Sequence, residues 1–213
     1  IVSVKDPDFS SKLLNKIICL NENSNVEIII IFTKLDLLLS EEFENIQRIM
    51  NYYKEIGYNV FSNNDEDIDE FKNLVSQKYV SISGQSGAGK STFINKISSN
   101  LDIETGEISK HLGRGRHTTR HTEFYRIDDF YIADTPGFSS LDLTFIEKED
   151  IQYLFKEFAE YECKFKPCNH IEEIQCGVKH AVEEQAILQS RYDDYKALFK
   201  EKETQKRKYI KEK

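Results

Sequence analysis

The chain has 213 residues, 39% hydrophobic and 31% charged, which is enough for one α/β core and a small appendage and is ordinary for a globular protein. Its net charge of −8 excludes a uniformly basic nucleic-acid binder, and its longest apolar run, Ile28–Phe32, is far too short for a membrane-spanning helix. Three of the four cysteines crowd between 163 and 176, unlike the disulfide framework of a small secreted protein.

The opening Ile1-Val-Ser-Val4 reads as the cut tail of a strand in an excised fragment, with no signal peptide visible. Asp6-Pro-Asp punctuates, and Phe9–Leu20 carries apolar residues near helical spacing. Asn21–Asn25 is a turn, and Val26–Phe32 is a strand dense in β-branched residues, as suits a sheet covered on both faces. Thr33-Lys-Leu-Asp36 follows, then a helix from an N-cap at Ser40 to Ile56. Tyr58–Phe61 is a short strand, 62–67 a polar loop and Ile68–Ser76 a short helix. Val80 and Ile82 lead into Gly84-Gln-Ser-Gly-Ala-Gly-Lys-Ser91, and 92–97 continues as a helix. Ser98–Thr122 has no periodicity, a loop long enough to be functional or disordered. Glu123–Ile127 and Phe130–Ala133 form a hairpin around Asp128-Asp129, and the second strand runs into Asp134-Thr-Pro-Gly137. A helical stretch from Leu141 to Tyr161, the Cys/His cluster and further helix from Val178 complete the chain. Strands alternating with helices predict a doubly wound α/β sheet with its ligand at the strand C-terminal edge.

The organising stretch is the Gly-x4-Gly-Lys-Ser phosphate loop, set between a strand and a helix. Gly84, Gly87 and Gly89 let the backbone turn tightly and aim its N–H groups at one point. Gln85, Ser86, Ala88 and Thr92 complete the cradle, Lys90 is suited to the β- and γ-phosphates, and Ser91 to Mg²⁺. Asp134, with Gly137 three residues on, fits the Mg²⁺-side carboxylate and the glycine that senses the γ-phosphate. Thr33-Lys34-Leu35-Asp36 is close to the guanine box Asn-Lys-x-Asp. An ionised Asp36 accepts from guanine N1–H and the 2-amino group together, a donor pair adenine does not offer. Lys34 can lay its aliphatic stem along the base. Taken alone, Asp36 is equally a helix-start acid, and Asp134 a turn residue.

The order of these motifs is informative. GTPases usually run phosphate loop, switch threonine, Asp-x-x-Gly, guanine box; here the guanine box comes first, so the set is circularly permuted. Cys163-x4-Cys168-x-His170-x5-Cys176 then offers three thiols and an imidazole, a closed four-coordinate structural zinc site. Buried or free cysteines are the plain alternative.

A permuted GTPase followed by this cluster resembles the ribosome small-subunit-dependent GTPases, the RsgA/YjeQ family. The resemblance runs from Ile1 to the C-terminal helices and rests on residues 33–36, 84–91, Gly115-Arg-His-Thr-Thr119, 134–138 and the zinc cluster. It implies a circularly permuted P-loop GTPase domain, 1–160, and a C-terminal zinc-binding helical domain, 161–213. It also implies GTP hydrolysis stimulated by the small ribosomal subunit during late maturation, and an N-terminal OB-fold domain that this chain lacks. Cofactors would be GTP or GDP, Mg²⁺ and one Zn²⁺. Partners would be the small subunit and its rRNA, with no membrane, for a monomer in the cytoplasm if bacterial or in an organelle if eukaryotic. Arg120 departs from the third Thr usual after His-Thr-Thr, and Ser62-Asn63 is a degenerate Ser-Ala base loop.

The position after Asp-x-x-Gly is Phe138, which cannot orient a water. His117 is the candidate catalytic group, beside Thr118 and Thr119, one of which is expected to ligate Mg²⁺. Thr105–Arg126 holds five Lys/Arg against two acids, and Arg114, Arg116 and Arg120 could face rRNA phosphates. A nucleotide-gated RNA-binding module with incidental hydrolysis, and a general P-loop ATPase, are the competing readings; Asp36 argues against the latter.

Overall fold

The structure, a computed structural model, describes residues 1–98, 123–134 and 143–211. Packing divides the chain into two compact units, the first made of Ile1–Phe9 with Ile29–Ser139, the second of Ser10–Ile28 with Ser140–Lys213. This division differs from the expected 1–160 and 161–213: Ser10–Ile28 and 140–160 pack with the zinc-cluster segment.

The first unit is α/β. Strands β1 (Val2–Ser3), β2 (Ile29–Thr33) and β3 (Asn59–Ser62) run parallel in that order, with Ile31 opposite Phe61. The strand expected at Val26–Phe32 begins later, because Val26 N–H donates instead to the Asn21 carbonyl and closes a turn. A second sheet has the order β4-β6-β5, from β4 (Tyr79–Ser81), β5 (Glu123–Ile127) and β6 (Phe130–Asp134); β4 and β6 are parallel, and β5–β6 is the expected hairpin. The Ile1 nitrogen donates to the Ser83 carbonyl at 2.6 Å, so the two sheets abut where β1 meets β4.

Helices α2 (Ser40–Glu55), α3 (Asp65–Val75) and α4 (Lys90–Ile97) belong to this unit. Ser40 is not the cap of α2; Leu39 holds that place, and its N–H donates to the Glu42 carboxylate at 2.9 Å. Helix α3 begins three residues earlier than Ile68, because Asn64 caps it by accepting from Asp67 N–H. Phe71 stands edge-on to Phe93 at 5.2 Å and to Phe130 at 6.2 Å, so α3, α4 and β6 share one aromatic core with Ile31 and Phe61.

The second unit is helical: α1 (Ser11–Asn23), α5 (Gly177–Glu183), α6 (Gln189–Lys211) and two 3-10 helices, Lys148–Leu154 and Lys156–Glu160. Within the helical stretch expected from Leu141 to Tyr161, whose first two residues lie outside the described ones, the helices are of the 3-10 kind. Buried Ile151 and Leu154, then Phe155 and Phe158, recur every third residue, and a 3-10 helix places i and i+3 on one line. Inside the unit lies an ionic network. Arg191, 1% exposed, donates through Nε and Nη2 to both Glu157 oxygens at 2.8 and 3.1 Å and through Nη1 to Asn15 at 2.6 Å. Asn15 in turn donates to Asp194 at 2.8 Å, and the guanidinium lies 4.2 Å from the centre of the Phe155 ring. This joins α1, the second 3-10 helix and α6.

Candidate functional site

The phosphate loop leaves β4 and enters α4 as the motif requires. Gly84, Gly87 and Gly89 have φ of +154°, +79° and +81°, values that side chains disfavour. At Gly84 a Cβ would collide with the Ile1 carbonyl. Gly89 caps α4 in a left-handed conformation, so the N–H groups of the first turn open toward the loop. The Lys90 ammonium donates to the carbonyls of Gly84 (2.8 Å) and Gln85 (2.7 Å), which places the cation at the loop itself; burial depresses its pKa. Ser91 and Ala88 are buried, whereas Gln85, Ser86 and Thr92 are exposed.

The guanine-box segment meets this loop directly. Thr33, at the end of β2 and 2% exposed, donates its hydroxyl to the Ala88 carbonyl at 2.8 Å, and Gly89 lies against the same side chain. Lys34 is left-handed (φ 64°) and its ammonium donates to the Asp6 carbonyl. Asp36 sits exposed on the short 3-10 turn Leu35–Leu37. It lines a cavity of about 540 Å³ together with Ser62, Asn63, Asn64, Asp67 and Lys96.

The base loop after β3 is braced by its own neighbours. Asp67 accepts from Ser62 N–H at 2.5 Å, Ser62 Oγ accepts from Asn64 N–H at 3.3 Å, and Lys96 of α4 donates to the Asn63 carbonyl at 2.6 Å. Sequence reasoning missed this brace. The Asn64-x-x-Asp67 spacing of a capping box was the available signal; nothing marked Lys96.

Asp134 ends β6, whose residue Ala133 pairs with Ser81, so its backbone reaches the same edge from which β4 runs into the phosphate loop. Thus the ends of β2, β3, β4 and β6 carry the four motif segments. His117, Thr118, Thr119 and Gly137 lie outside the described residues.

In the other unit, the predicted metal ligands come together. The ligand atoms of Cys163, Cys168, His170 and Cys176 lie within 4.8 Å of one another. His170 Nδ1 is 3.4, 3.4 and 3.3 Å from the three sulfurs in that order, and Cys163 Sγ is 3.7 Å from Cys176 Sγ. Tetrahedral Zn²⁺, with bonds of about 2.3 Å to sulfur and about 2.0 Å to nitrogen, separates sulfur from nitrogen by about 3.5 Å and sulfur from sulfur by about 3.8 Å, so the cluster fits the ion. Burial pushes the Cys168 thiol up to about 12, raises that of Cys176 and depresses the His170 imidazole, whereas the Cys163 thiol is lowered, because hydrogen bonds outweigh its burial; metal ligation requires the thiols as thiolates and the imidazole neutral. The outer supports are backbone and phenol groups. Glu173 accepts from Asn169 N–H (2.7 Å) and Ile171 N–H (2.8 Å), and Tyr192 donates to the His170 carbonyl at 2.6 Å. Cys176 also caps α5, accepting from Lys179 N–H at 3.5 Å. At Gly177 a side chain would strike the Glu162 carbonyl.

A phosphate loop that follows the guanine box along the chain, in a largely parallel α/β unit, defines the class: a circularly permuted P-loop GTPase, here with a Cys3His cluster in a helical second unit. The sequence model of the RsgA GTPase family matches residues 1–144. Over 212 residues the chain is 42% identical to the small ribosomal subunit biogenesis GTPase RsgA of Staphylococcus saprophyticus, covering 98% of this chain and 73% of that one. Against the RsgA of Clostridium perfringens identity is 40% over 200 residues, covering 92% and 69%. Among solved structures, YjeQ from Thermotoga maritima superposes with a TM-score of 0.79 at 32% identity, over 95% of this chain and 69% of that one. YloQ, described as a circularly permuted GTPase, gives 0.73 at 33%, over 95% and 66%. The chain belongs to the RsgA GTPase family.

Proposed function

We propose that this protein is a GTP hydrolase acting in maturation of the small ribosomal subunit, with turnover stimulated by the subunit. The observation that carries the nucleotide reading is the Thr33–Ala88 hydrogen bond, which fastens the guanine-box strand to the phosphate loop despite their reversed order. Asp36 reads N1–H and the 2-amino group of guanine, the loop N–H groups and Lys90 hold the phosphates, and Ser91, Asp134 and Thr118 or Thr119 hold Mg²⁺. Bound Mg²⁺ supplies charge neutralisation at the β- and γ-phosphate oxygens. The Cys3His cluster holds one structural Zn²⁺. The small-subunit partner is supported by the names of the relatives, and a bacterial cytoplasmic setting by their organisms.

His117 accepts the proton of the attacking water or orients it, since Phe138 cannot. GTP turnover measured with and without small subunits tests the proposal. Stimulation is expected, and His117→Ala should keep nucleotide and subunit binding while losing roughly 10²–10⁴-fold in stimulated turnover. Retention on subunits without any gain in turnover would instead mark a nucleotide-gated binding module. Normal stimulated turnover in His117→Ala would remove the histidine from the mechanism.

A further inference from the structure

Ser62 and Asn63 both line the cavity that Asp36 lines, and the peptides on either side of the one joining them are held by side chains. On one side, Ser62 N–H is held by Asp67 at 2.5 Å. On the other, the peptide joining Asn63 and Asn64 is gripped at both ends, its N–H by Ser62 Oγ at 3.3 Å and its carbonyl by Lys96 at 2.6 Å. Two fixed planes leave the intervening one little freedom. That plane carries the Asn63 N–H, a donor suited to a purine 6-oxo group, whereas adenine presents an amine there.

Of the three restraints, only Lys96 comes from outside the base loop and its helix. It stands in the last turn of α4, the helix that begins at Lys90 of the phosphate loop. Its ammonium also meets Asp65 at 2.8 Å, but the Asp65 side chain is 91% exposed, so that pair contributes little. The carbonyl contact, made by an ammonium that is itself partly exposed, is the one that reaches the base-loop backbone.

From this geometry we infer that Lys96 is a positioning residue for base recognition: by holding the Asn63 carbonyl it ties the base loop to the phosphate-loop helix and sets how long a guanine nucleotide stays bound. The inference rests on the reading of Asp36 and the base loop as the guanine site. It concerns retention of the base, not binding of the phosphates.

Dissociation of a fluorescent GDP from the intact chain provides the test, alongside affinity for inorganic tripolyphosphate and melting without ligand. Lys96→Met, which keeps the stem and removes the charged donor, should speed GDP release about tenfold or more, the scale of one lost charged hydrogen bond. Tripolyphosphate affinity and ligand-free melting should not move. Lys96→Arg should return release to within about threefold of the parent, and Asp65→Ala should stay near it. Equal losses for GDP and tripolyphosphate, or a lower ligand-free melting point, would make the residue a general charge or a fold element and overturn the inference. So would parent-like GDP release in Lys96→Met while Asp36→Asn releases GDP fast. If Asp36→Asn also retains GDP normally, the guanine-site reading itself falls, and this inference with it.

Discussion

Thr33 shows how much one hydroxyl can carry. An amide side chain is usual at the head of a guanine box, and the sequence marks Thr33 only as its replacement; the fold alone brings the hydroxyl to the Ala88 carbonyl. Thr33→Val keeps shape and removes the donor, leaving a buried acceptor unpaired at a cost of about 1–3 kcal/mol. For a chain of this length that is about 2–12 °C of melting temperature. Thermal unfolding without nucleotide checks this, and Thr33→Ser should recover most of the loss. A valine protein that melts with the parent would show that the hydroxyl joins nothing of consequence. The phosphate loop was legible because glycine and lysine spacing is dictated by backbone conformation at single positions. Lys96 and Arg191 were not, because a charged residue in a helix looks the same whether it faces solvent or a buried partner.

Among elements, α1 is the one whose allegiance the sequence concealed. Its apolar spacing is that of any helix beside a sheet, but it buries Leu14, Asn15, Ile18 and Cys19 with the helical unit, where Asn15 bridges Arg191 and Asp194. Arg191→Met removes both hydrogen bonds that Glu157, 2% exposed, accepts from the guanidinium, and breaking such a buried pair costs about 3–5 kcal/mol. Chemical denaturation should show that loss. Arg191→Met with Glu157→Gln should recover a good part of it, because the carboxylate that faced the guanidinium is then neutral; a double variant as unstable as the single would mean that packing against Phe155, and not the Glu157 charge, sets the cost. Asp194 adds a pH signature. Burial, the largest influence, raises its pKa above the usual 3.8, so the folded chain binds this proton more tightly than the unfolded chain. Its contribution to stability therefore falls as pH rises from 3.8 through the raised value, and Asp194→Asn should abolish that component of the stability–pH curve. The helix expected from 141 to 161 failed for a related reason. Buried pairs at i and i+3, Ile151 with Leu154 and Phe155 with Phe158, suit the tighter 3-10 turn, and a helical pattern in sequence does not distinguish the two.

For the molecule as a whole, the metal cluster is the expected point of control over folding. One zinc per chain is expected by elemental analysis of fresh protein. Its removal by a strong chelator should unfold the segment around 160–183, since Cys163 and Cys176 hold both ends of that loop and Cys176 starts α5. Hydrogen exchange before and after chelation reads this directly: amides of 160–183 lose protection, those of β2 and β3 keep it. Zinc-free protein with protected amides in that loop would assign the cluster to ordinary thiols. The permuted order, the phosphate loop and the ligand spacing were all visible in one dimension because each is a local pattern. The grouping of Ser10–Ile28 with 140–213 is a property of packing alone.

That grouping has a consequence for ancestry and engineering. The polypeptide passes from one unit to the other after Phe9, after Ile28 and after Ser139. A helical unit threaded in this way cannot be gained, lost or exchanged by a single recombination at its border. Any crossover that brings in a foreign C-terminal segment must also find α1 a matching surface, or leave Leu14, Ile18 and Cys19 bare. The two units are therefore expected to be inherited together, and a chimaera joined at residue 160 should be recovered mainly as insoluble protein unless residues 10–28 are exchanged with it.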